Sequence, residues 1–108
     1  MRKKKHGKER LLACGEFLIS AEDIDSSDPG AALGMPGAPV WLEIGAGKGG
    51  FATEMARRNP GVAYIAMERV HDCVVLAAEG AKEAFGDEKT NLRFLIENAD
   101  NLTRLFGE

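Results

Sequence analysis

From residue 40 to the end of the 108-residue chain, short apolar runs alternate with segments of helical periodicity. The apolar runs lie at 40–44, 62–67 and 91–96, and the helical patterns lie at 49–59, 74–85 and 101–106. Runs of this length without polar alternation are typical of parallel strands that are buried on both faces. Because each connection is long enough for a crossover helix, the strands are expected to pair in parallel. The sequence therefore predicts an α/β fold, a Rossmann-like doubly wound parallel sheet with about three strands in these residues.

The start of the chain differs from the rest in charge and in pattern. Residues 1–10 hold six Lys or Arg and one acid, whereas the other 98 residues hold eight Lys or Arg and sixteen Asp or Glu. Apolar residues within 9–19 favour a short helix, and the Gly/Pro-rich stretch 20–39 favours a connecting loop. A basic arm attracts polyanions such as nucleic acid, although a solvated tail has the same composition. We therefore divide the chain into an arm, helix and loop at 1–39 and a domain at 40–108.

Composition excludes several classes of protein. No apolar run approaches the roughly 20 residues that a transmembrane helix needs, and no apolar segment follows the basic start as in a secretory signal. Aromatic residues make up only 6% of the chain, which disfavours a stacking platform for single-stranded nucleic acid. The two cysteines, Cys14 and Cys73, lie far apart without metal-ligand spacing. We therefore expect a protein of the reducing cytoplasm, with no membrane partner and no metal site.

A glycine-rich segment follows the first predicted strand. Gly45, Gly47 and Gly50 satisfy the spacing G-x-G-x-x-G where strand 40–44 passes into the next helix. Glycine lets the backbone turn sharply and approach a ligand closely, because no Cβ intervenes. The spacing fits a dinucleotide site, and it also fits a tight turn that only packs the helix against the strand. The glycines alone leave both alternatives open.

An acid two residues before the first glycine changes which cofactor is expected. A dinucleotide places its pyrophosphate at the helix N-terminus, where the carboxylate of Glu43 would repel it. S-adenosylmethionine carries a sulfonium and an ammonium and has no phosphate, so Glu43 would attract it. Opposite charges about 4 Å apart gain about 4 kcal/mol at an effective dielectric constant of about 20, before desolvation. Glu43 is therefore a candidate for holding the methionine end of this cofactor, the alternatives being a helix N-cap or an ion pair.

Polar residues also follow the second and third predicted strands. Glu68 lies 23 residues after Gly45, near the spacing at which an acid accepts hydrogen bonds from ribose hydroxyls. The alternative is a solvated acid paired with Arg69. Asn98 carries both a donor and an acceptor, which suit an adenine edge, and Asp100 is expected to cap the helix that follows. Because ligands of this fold lie at the carboxyl ends of the strands, Glu68 and Asn98 are expected around one cofactor.

The chain resembles the bacterial tRNA (guanine-N7)-methyltransferases over nearly its whole length. The resemblance rests on MRKKKHGKERL at the start, WLEIGAGKGGFATEMARRNP around the glycines, VAYIAMERV at the second strand and NLRFLIENADNLTRLF at the third. It implies the class I fold of S-adenosylmethionine-dependent methyltransferases. It further implies tRNA as the partner and methyl transfer to N7 of a variable-loop guanine. On this resemblance the cofactor-binding residues are Glu43, Gly45, Gly47, Glu68 and Asn98.

The sequence departs from that family in one respect. The family continues into a D-P-W-P-K type motif whose Asp is implicated in catalysis and whose basic neighbours are implicated in tRNA binding, and residues 1–108 contain no such motif. We therefore assign no catalytic residue, because the resemblance implies that the family's Asp lies beyond Glu108. The expectation is an N-terminal fragment, a cofactor half-site that gives no turnover by itself.

The same expectation has a structural consequence and leaves two alternatives. Without a fourth strand beside it, strand 40–44 would lie at an exposed sheet edge. Two alternative functions also remain open from the sequence. The first alternative is a fragment of an NAD-dependent oxidoreductase. The second is a non-catalytic RNA-binding module with a degenerate methyltransferase fold.

Overall fold

A four-stranded parallel sheet lies at the centre of the computed structural model, which describes residues 15–86 and 90–106. The strands are β1 (Leu18–Ile19), β2 (Val40–Ile44), β3 (Ala63–Glu68) and β4 (Leu92–Ile96). The α-helices are α1 (Gly50–Arg58), α2 (His71–Phe85) and α3 (Leu102–Phe106). Short 3-10 turns occupy Gly15–Phe17, Ala21–Asp23, Pro29–Leu33 and Ala99–Asn101. The spatial order is β1-β4-β3-β2, so the predicted α/β fold with a parallel sheet is confirmed.

The central strands of the sheet contribute to two apolar clusters, one on each face, because successive side chains of a strand point to opposite sides. On β4, Phe94 packs beneath α1 and α2, in a cluster that includes many alanines of the two helices. Leu95 points to the other face, where it packs with Leu33 of the Pro29–Leu33 turn and Leu105 of α3. The small alanine side chains let the helices approach the sheet closely. The apolar stripe predicted for the helix after the second strand is therefore confirmed as a core face.

Strand β2 differs from the prediction that it is buried on both faces, which is wrong. It pairs with β3 on one side, and among the described residues it forms an edge of the sheet. Trp41 is 40% exposed and Ile44 is 50% exposed. All six residues of β3 are buried, because β3 lies between β2 and β4 and beneath the helices. The expectation that strand 40–44 lies at an exposed edge is confirmed for the residues that the structure describes.

The helix predicted over 9–19 is wrong where the structure describes it. Residues 15–17 form a 3-10 turn, and Leu18 and Ile19 form β1, which pairs in parallel with Phe94 and Leu95 of β4. This pairing provides hydrogen-bond partners for β4 beside Phe94 and Leu95, and no local sequence pattern specifies it. The rest of that helix prediction lies outside the described residues, as do Cys14 and the basic arm. The sheet consequently has one strand more than the three predicted.

The connection between β1 and β2 is a folded segment with few regular elements. Its Pro29–Leu33 turn places Leu33 in the core at 3% exposure. The Asp28 carboxylate accepts hydrogen bonds from the backbone N–H of Gly37 at 3.0 and 3.2 Å, which closes the following bend. The predicted loop therefore contributes one core residue and is fixed by its own side chains.

Candidate functional site

A cleft of about 380 Å³ opens at the carboxyl ends of β2, β3 and β4. It is lined by Ile44, Gly45, Met67, Glu68, Arg69, Val70, Glu97 and Asn98. Its volume lies within the range of small-molecule sites, and doubly wound sheets bind their ligands at this end of the strands. Apolar walls and a few polar groups converge there, which is the composition expected of a cofactor pocket.

The glycine segment forms a tight loop at one wall of this cleft. Gly45 and Gly47 have φ values of 73° and 59°, in the left-handed region that favours glycine. The N–H groups of Gly45 and Ala46 both donate to the carbonyl oxygen of Met67, at 2.8 and 3.1 Å. The loop is therefore folded back over the end of β3.

Glu68 joins this loop to the turn after β3. Its side chain is buried, with 9% exposure. Oε1 accepts the backbone N–H of Gly47 at 2.8 Å, and Oε2 accepts the backbone N–H of Val70 at 2.9 Å. The alternative of a solvated acid is wrong, because the carboxylate is enclosed by backbone amides at the wall of the cleft.

Glu43 lies on β2, two residues before Gly45 and outside the set that lines the cleft. Its Oε1 accepts a hydrogen bond of 3.0 Å from the hydroxyl of Tyr64. Burial of the Tyr64 hydroxyl, together with its hydrogen bond to Glu43 and the charge of that carboxylate, raises the pKa of Tyr64 to about 12. The N-cap of α1 is Gly49, so the alternative that Glu43 caps this helix is wrong.

Asn98 follows β4 and lines the same cleft with an exposed side chain. Its Oδ1 accepts the backbone N–H of Asp100 at 2.9 Å, which caps the Ala99–Asn101 turn. The prediction that Asp100 is the cap is therefore wrong, because the residue two positions earlier supplies the accepting oxygen. This bond fixes the orientation of the Asn98 amide beside the cleft.

Glu97 is a cleft residue that the sequence analysis did not single out. Its Oε1 accepts the backbone N–H of Asn98 at 3.0 Å and the side-chain amide of Asn101 at 2.7 Å. These two hydrogen bonds hold the pKa of Glu97 below its usual range, and the bond from the Asn98 backbone has the larger effect. An acid directly after a strand that ends at a ligand edge is the sequence signal that could have indicated it.

The structure thus brings most of the predicted site residues together. Gly45, Glu68 and Asn98 line one cleft, and Gly47 is hydrogen-bonded to Glu68. Glu43 lies on β2, and the hydroxyl of Tyr64 on β3 donates a hydrogen bond to it. This partner was not predicted from the sequence. A tyrosine within a buried strand was the available signal, because a buried tyrosine hydroxyl usually has a hydrogen-bond partner.

The position of the catalytic Asp of the resembled family is not tested by the structure. The resemblance implies that this residue lies beyond Glu108, and Glu108 itself lies outside the described residues. The cleft therefore contains candidates for holding a cofactor, and the expectation of no catalytic residue within 1–108 stays a prediction.

Metal and membrane features complete the description of the molecule. Across residues 15–86 and 90–106, no group of three or more His, Cys, Asp or Glu side chains is placed to hold a metal ion. No helix within those ranges combines the length and apolar character needed to cross a membrane.

Comparison with known proteins identifies the class. Residues 37–108 match the model of a family described as putative methyltransferase. This match covers the glycine loop and the three strands whose ends form the cleft. The chain therefore belongs to this methyltransferase family.

Individual relatives carry a more specific name. A protein of Halalkalibacterium halodurans is 44% identical over 71 residues, which cover 66% of this chain and 31% of the relative. A protein of a Geobacillus species is 35% identical over 108 residues, covering 100% of this chain and 47% of the relative. A Bacillus subtilis protein is 33% identical over 97 residues, covering 84% of this chain and 44% of the relative. All three are named tRNA (guanine-N(7)-)-methyltransferase.

The alignments therefore span about a third to a half of the length of these curated relatives. They confirm the resemblance stated from the sequence, and with it the methyltransferase class. The NAD-dependent oxidoreductase is not favoured, because the family match and the relatives all point to methyl transfer.

Proposed function

We propose that this chain provides the S-adenosylmethionine-binding part of a tRNA (guanine-N7)-methyltransferase that modifies a variable-loop guanine. The names of the relatives support the reaction, and the cleft at the ends of β2, β3 and β4 supports the cofactor. The cytoplasmic location expected from the separated cysteines is part of this proposal.

The observation that carries the cofactor proposal is the use of the glycine-loop amides. A pyrophosphate needs free backbone N–H groups at this position. Here the N–H groups of Gly45 and Ala46 donate to Met67, and the N–H of Gly47 donates to the carboxylate of Glu68. The carboxylate of Glu68, at the end of β3 and against this loop, would repel a phosphate and would favour a ligand with a cationic end and a neutral nucleoside.

Each site residue has a role that its chemistry supports. Glu43 would hold the methionine end, Glu68 would accept hydrogen bonds from the ribose hydroxyls, and Asn98 would lie beside the adenine. Each oxygen of an ionised carboxylate has two lone-pair sites, so Glu68 can keep both backbone bonds and still accept the ribose hydroxyls. Gly45 and Gly47 would allow close approach of the backbone.

The chemistry follows from positioning. When bound, S-adenosylmethionine supplies an electrophilic methyl group on its sulfonium sulfur. Guanine N7 carries a free lone pair, so its attack on that methyl would need no strong base. The N–C bond would form as the S–C bond breaks, and the electron pair would leave on the thioether sulfur of S-adenosylhomocysteine. The residues of the cleft would hold the cofactor in line for this displacement, which is catalysis by orientation and electrostatics.

Attraction of tRNA is assigned to the basic residues 1–10. Six cations neutralise at most a handful of phosphates, so this attraction is weak, without sequence readout, and decreases as salt rises. The expectation that the 108 residues alone give no turnover stays a prediction.

The test of the proposed reaction is a chimera with the Geobacillus relative. Residues 1–108 replace the segment of that protein with which they align, and the rest of the relative is kept. We expect the chimera to transfer labelled methyl groups from S-adenosylmethionine to tRNA, with 7-methylguanosine as the product after digestion. Glu68→Gln in the chimera should reduce this transfer by about tenfold or more, through a weaker cofactor site.

The matched control is Glu54→Gln, which removes a carboxylate from an exposed ion pair with Arg58 on α1. That chimera should keep full activity, because exposed ion pairs contribute little to structure. A chimera that unfolds cooperatively and binds S-adenosylhomocysteine, but methylates no guanine in tRNA, would refute the proposed reaction. Methyl transfer to a different acceptor would refute the proposed substrate.

A further inference from the structure

The hydroxyl of Tyr64 and the carboxylate of Glu43 form a side-chain pair between neighbouring strands. The hydroxyl donates to Oε1 at 3.0 Å. Tyr64 as a residue is 4% exposed, and the hydrogen bond from its hydroxyl to Glu43 is partly buried. A hydrogen bond to a charged group in such surroundings is stronger than one between neutral groups.

Strand register explains how the two groups meet. In the parallel ladder, Tyr64 lies opposite Trp41, and Glu43 lies opposite Ala66. Residues two apart on a strand share a face, so the tyrosine reaches diagonally toward the carboxylate. Ala66 has only a methyl group, which leaves room beside Glu43 for the hydroxyl.

The ring of Tyr64 is held on both sides. Trp41 meets it edge-on, with ring centroids 6.5 Å apart and planes at 66°. On the other side Tyr64 belongs to the buried cluster beneath α1 and α2. The hydroxyl is thereby fixed in place, and such a donor can orient a carboxylate without a large entropic cost on ligand binding.

We propose that Tyr64 is a positioning residue, whose hydroxyl orients the Glu43 carboxylate toward the amino-acid end of the bound cofactor. The inference rests on the proposed function, because it assumes that Glu43 faces this part of S-adenosylmethionine. Tyr64 acts through Glu43 and touches no ligand atom itself. Oε1 of Glu43 accepts the tyrosine hydroxyl, and we assign the second carboxylate oxygen to the ammonium of the ligand.

The hydroxyl keeps its proton throughout the physiological range. Burial, followed by the hydrogen bond to Glu43, raises the pKa of Tyr64 to about 12. The group is therefore a donor at any pH at which the protein would be assayed, and the contribution of Tyr64 to binding should not change between about pH 6 and pH 9.

The test compares two ligands that differ only at the amino-acid end. S-adenosylhomocysteine carries the amino-acid group, and 5′-methylthioadenosine has a methyl group in its place. Calorimetric titration of the 108-residue chain with each ligand gives the two affinities. We expect Tyr64→Phe to weaken the binding of S-adenosylhomocysteine about tenfold and to change the affinity for 5′-methylthioadenosine less than twofold.

Two further variants complete the test. In a Glu43→Gln background, Tyr64→Phe should weaken the binding of S-adenosylhomocysteine less than threefold, because the effects of substituting two residues that act as a unit are not additive. Thr90→Val is the matched control, since it removes a buried hydroxyl at the opposite end of the sheet, where Thr90 accepts the N–H of Leu92. It should lower thermal stability and leave both affinities unchanged.

The outcomes separate the inference from the proposed function. Equal weakening of the two ligands by Tyr64→Phe, or full additivity with Glu43→Gln, would overturn the positioning role and leave the cofactor site intact. If the unsubstituted chain unfolds cooperatively but binds neither ligand, the proposed cofactor site is wrong, and the role of Tyr64 is refuted with it.

Discussion

The carboxylate of Glu68 accepts a hydrogen bond of 2.8 Å from the backbone N–H of Gly47, which lies 21 residues earlier in the chain. Its second oxygen holds the N–H of Val70, so one buried side chain joins the glycine loop to the turn between β3 and α2. The wall of the cleft is therefore built around an acid. The lining of the cleft holds the acids Glu68 and Glu97 and the cation Arg69, so its acids outnumber its bases, which favours a cationic ligand over a phosphate.

Replacing Glu68 by glutamine tests this connection. A glutamine offers one accepting oxygen, and its NH₂ group faces the other backbone N–H, so one buried amide loses its acceptor. We expect Glu68→Gln to lower the free energy of unfolding by about 1–3 kcal/mol. Urea unfolding followed by circular dichroism measures the change. Glu54→Gln, in the exposed ion pair with Arg58, should change it by less than about 1 kcal/mol, and equal losses in the two variants would contradict the role of Glu68.

Gly49 tests the packing that fixes the loop. Its φ is +79°, and a Cβ there would lie 2.6 Å from the Cβ of Ala77 and 3.1 Å from the ring of Phe94. Gly49→Ala combines a left-handed conformation with overpacking, and we expect a loss of about 2–4 kcal/mol in unfolding free energy. Gly50→Ala is the neighbouring control, because nothing lies within 4 Å of its Cβ position. That variant should stay within about 0.5 kcal/mol of the unsubstituted chain, and the same loss in both would show that the contact with Ala77 is not decisive.

Asn91 tests a contact that stabilises the opposite end of the sheet. Its side-chain NH₂ group lies within hydrogen-bond distance of the carbonyl oxygens of Ala56, Asn59 and Val62, at 3.0, 2.9 and 2.8 Å, so its two hydrogens are shared among three acceptors. Asn91→Asp removes these donors and places a charge against three carbonyls. We therefore expect the free energy of unfolding, measured by thermal or urea unfolding, to fall by about 2–4 kcal/mol.

The control for Asn91 is Asn59→Asp. Asn59 donates to a single carbonyl, that of Met55, at 2.8 Å, and it is only half-buried. Asn59→Asp should lower the free energy of unfolding by less than half as much as Asn91→Asp does. A larger loss from Asn59→Asp than from Asn91→Asp would contradict the account of this end of the sheet.

The pKa of Glu97 predicts a dependence on pH. Hydrogen bonds from the backbone of Asn98 and the side chain of Asn101 lower this pKa from its ordinary value of 4.5. A lowered folded-state pKa gives a stabilisation that is fully present above the unfolded value and is lost as pH falls through the folded value. The unfolding free energy should therefore fall below about pH 4.5 more steeply in the unsubstituted chain than in Glu97→Gln. Parallel curves for the two proteins between about pH 2.5 and pH 6, measured by urea unfolding at each pH, would contradict this assignment.

The parts of the fold that local sequence encodes were predicted, and those that depend on pairing were not. Apolar runs and helical stripes indicated β2, β3, β4 and the helices between them, because each signal lies within one element. Strand β1 is only two residues long and exists through its register with Phe94 and Leu95, which no pattern in Leu18 and Ile19 reveals. The wrong prediction of full burial for β2 has the same cause, since burial depends on the neighbours of a strand.

The same distinction holds for the site. The fold rule that ligands lie at the carboxyl ends of strands indicated Gly45, Glu68 and Asn98, which line one cleft. The bond from Tyr64 to Glu43 depends on a diagonal relationship across two strands, which only the register supplies. Roles that follow from position in an element are therefore readable from sequence, whereas roles that follow from contacts across elements are not.

An NMR titration of the isotope-labelled chain with S-adenosylhomocysteine tests the proposed cofactor site most directly. We expect the backbone amide signals of Gly45, Gly47, Glu68 and Asn98 to move together and to saturate, whereas NAD at the same concentrations should leave them in place. The proposed cofactor site is wrong if these four signals do not respond, if NAD moves them equally, or if the shifts concentrate instead around Arg57 and Asn91 at the opposite end of the sheet.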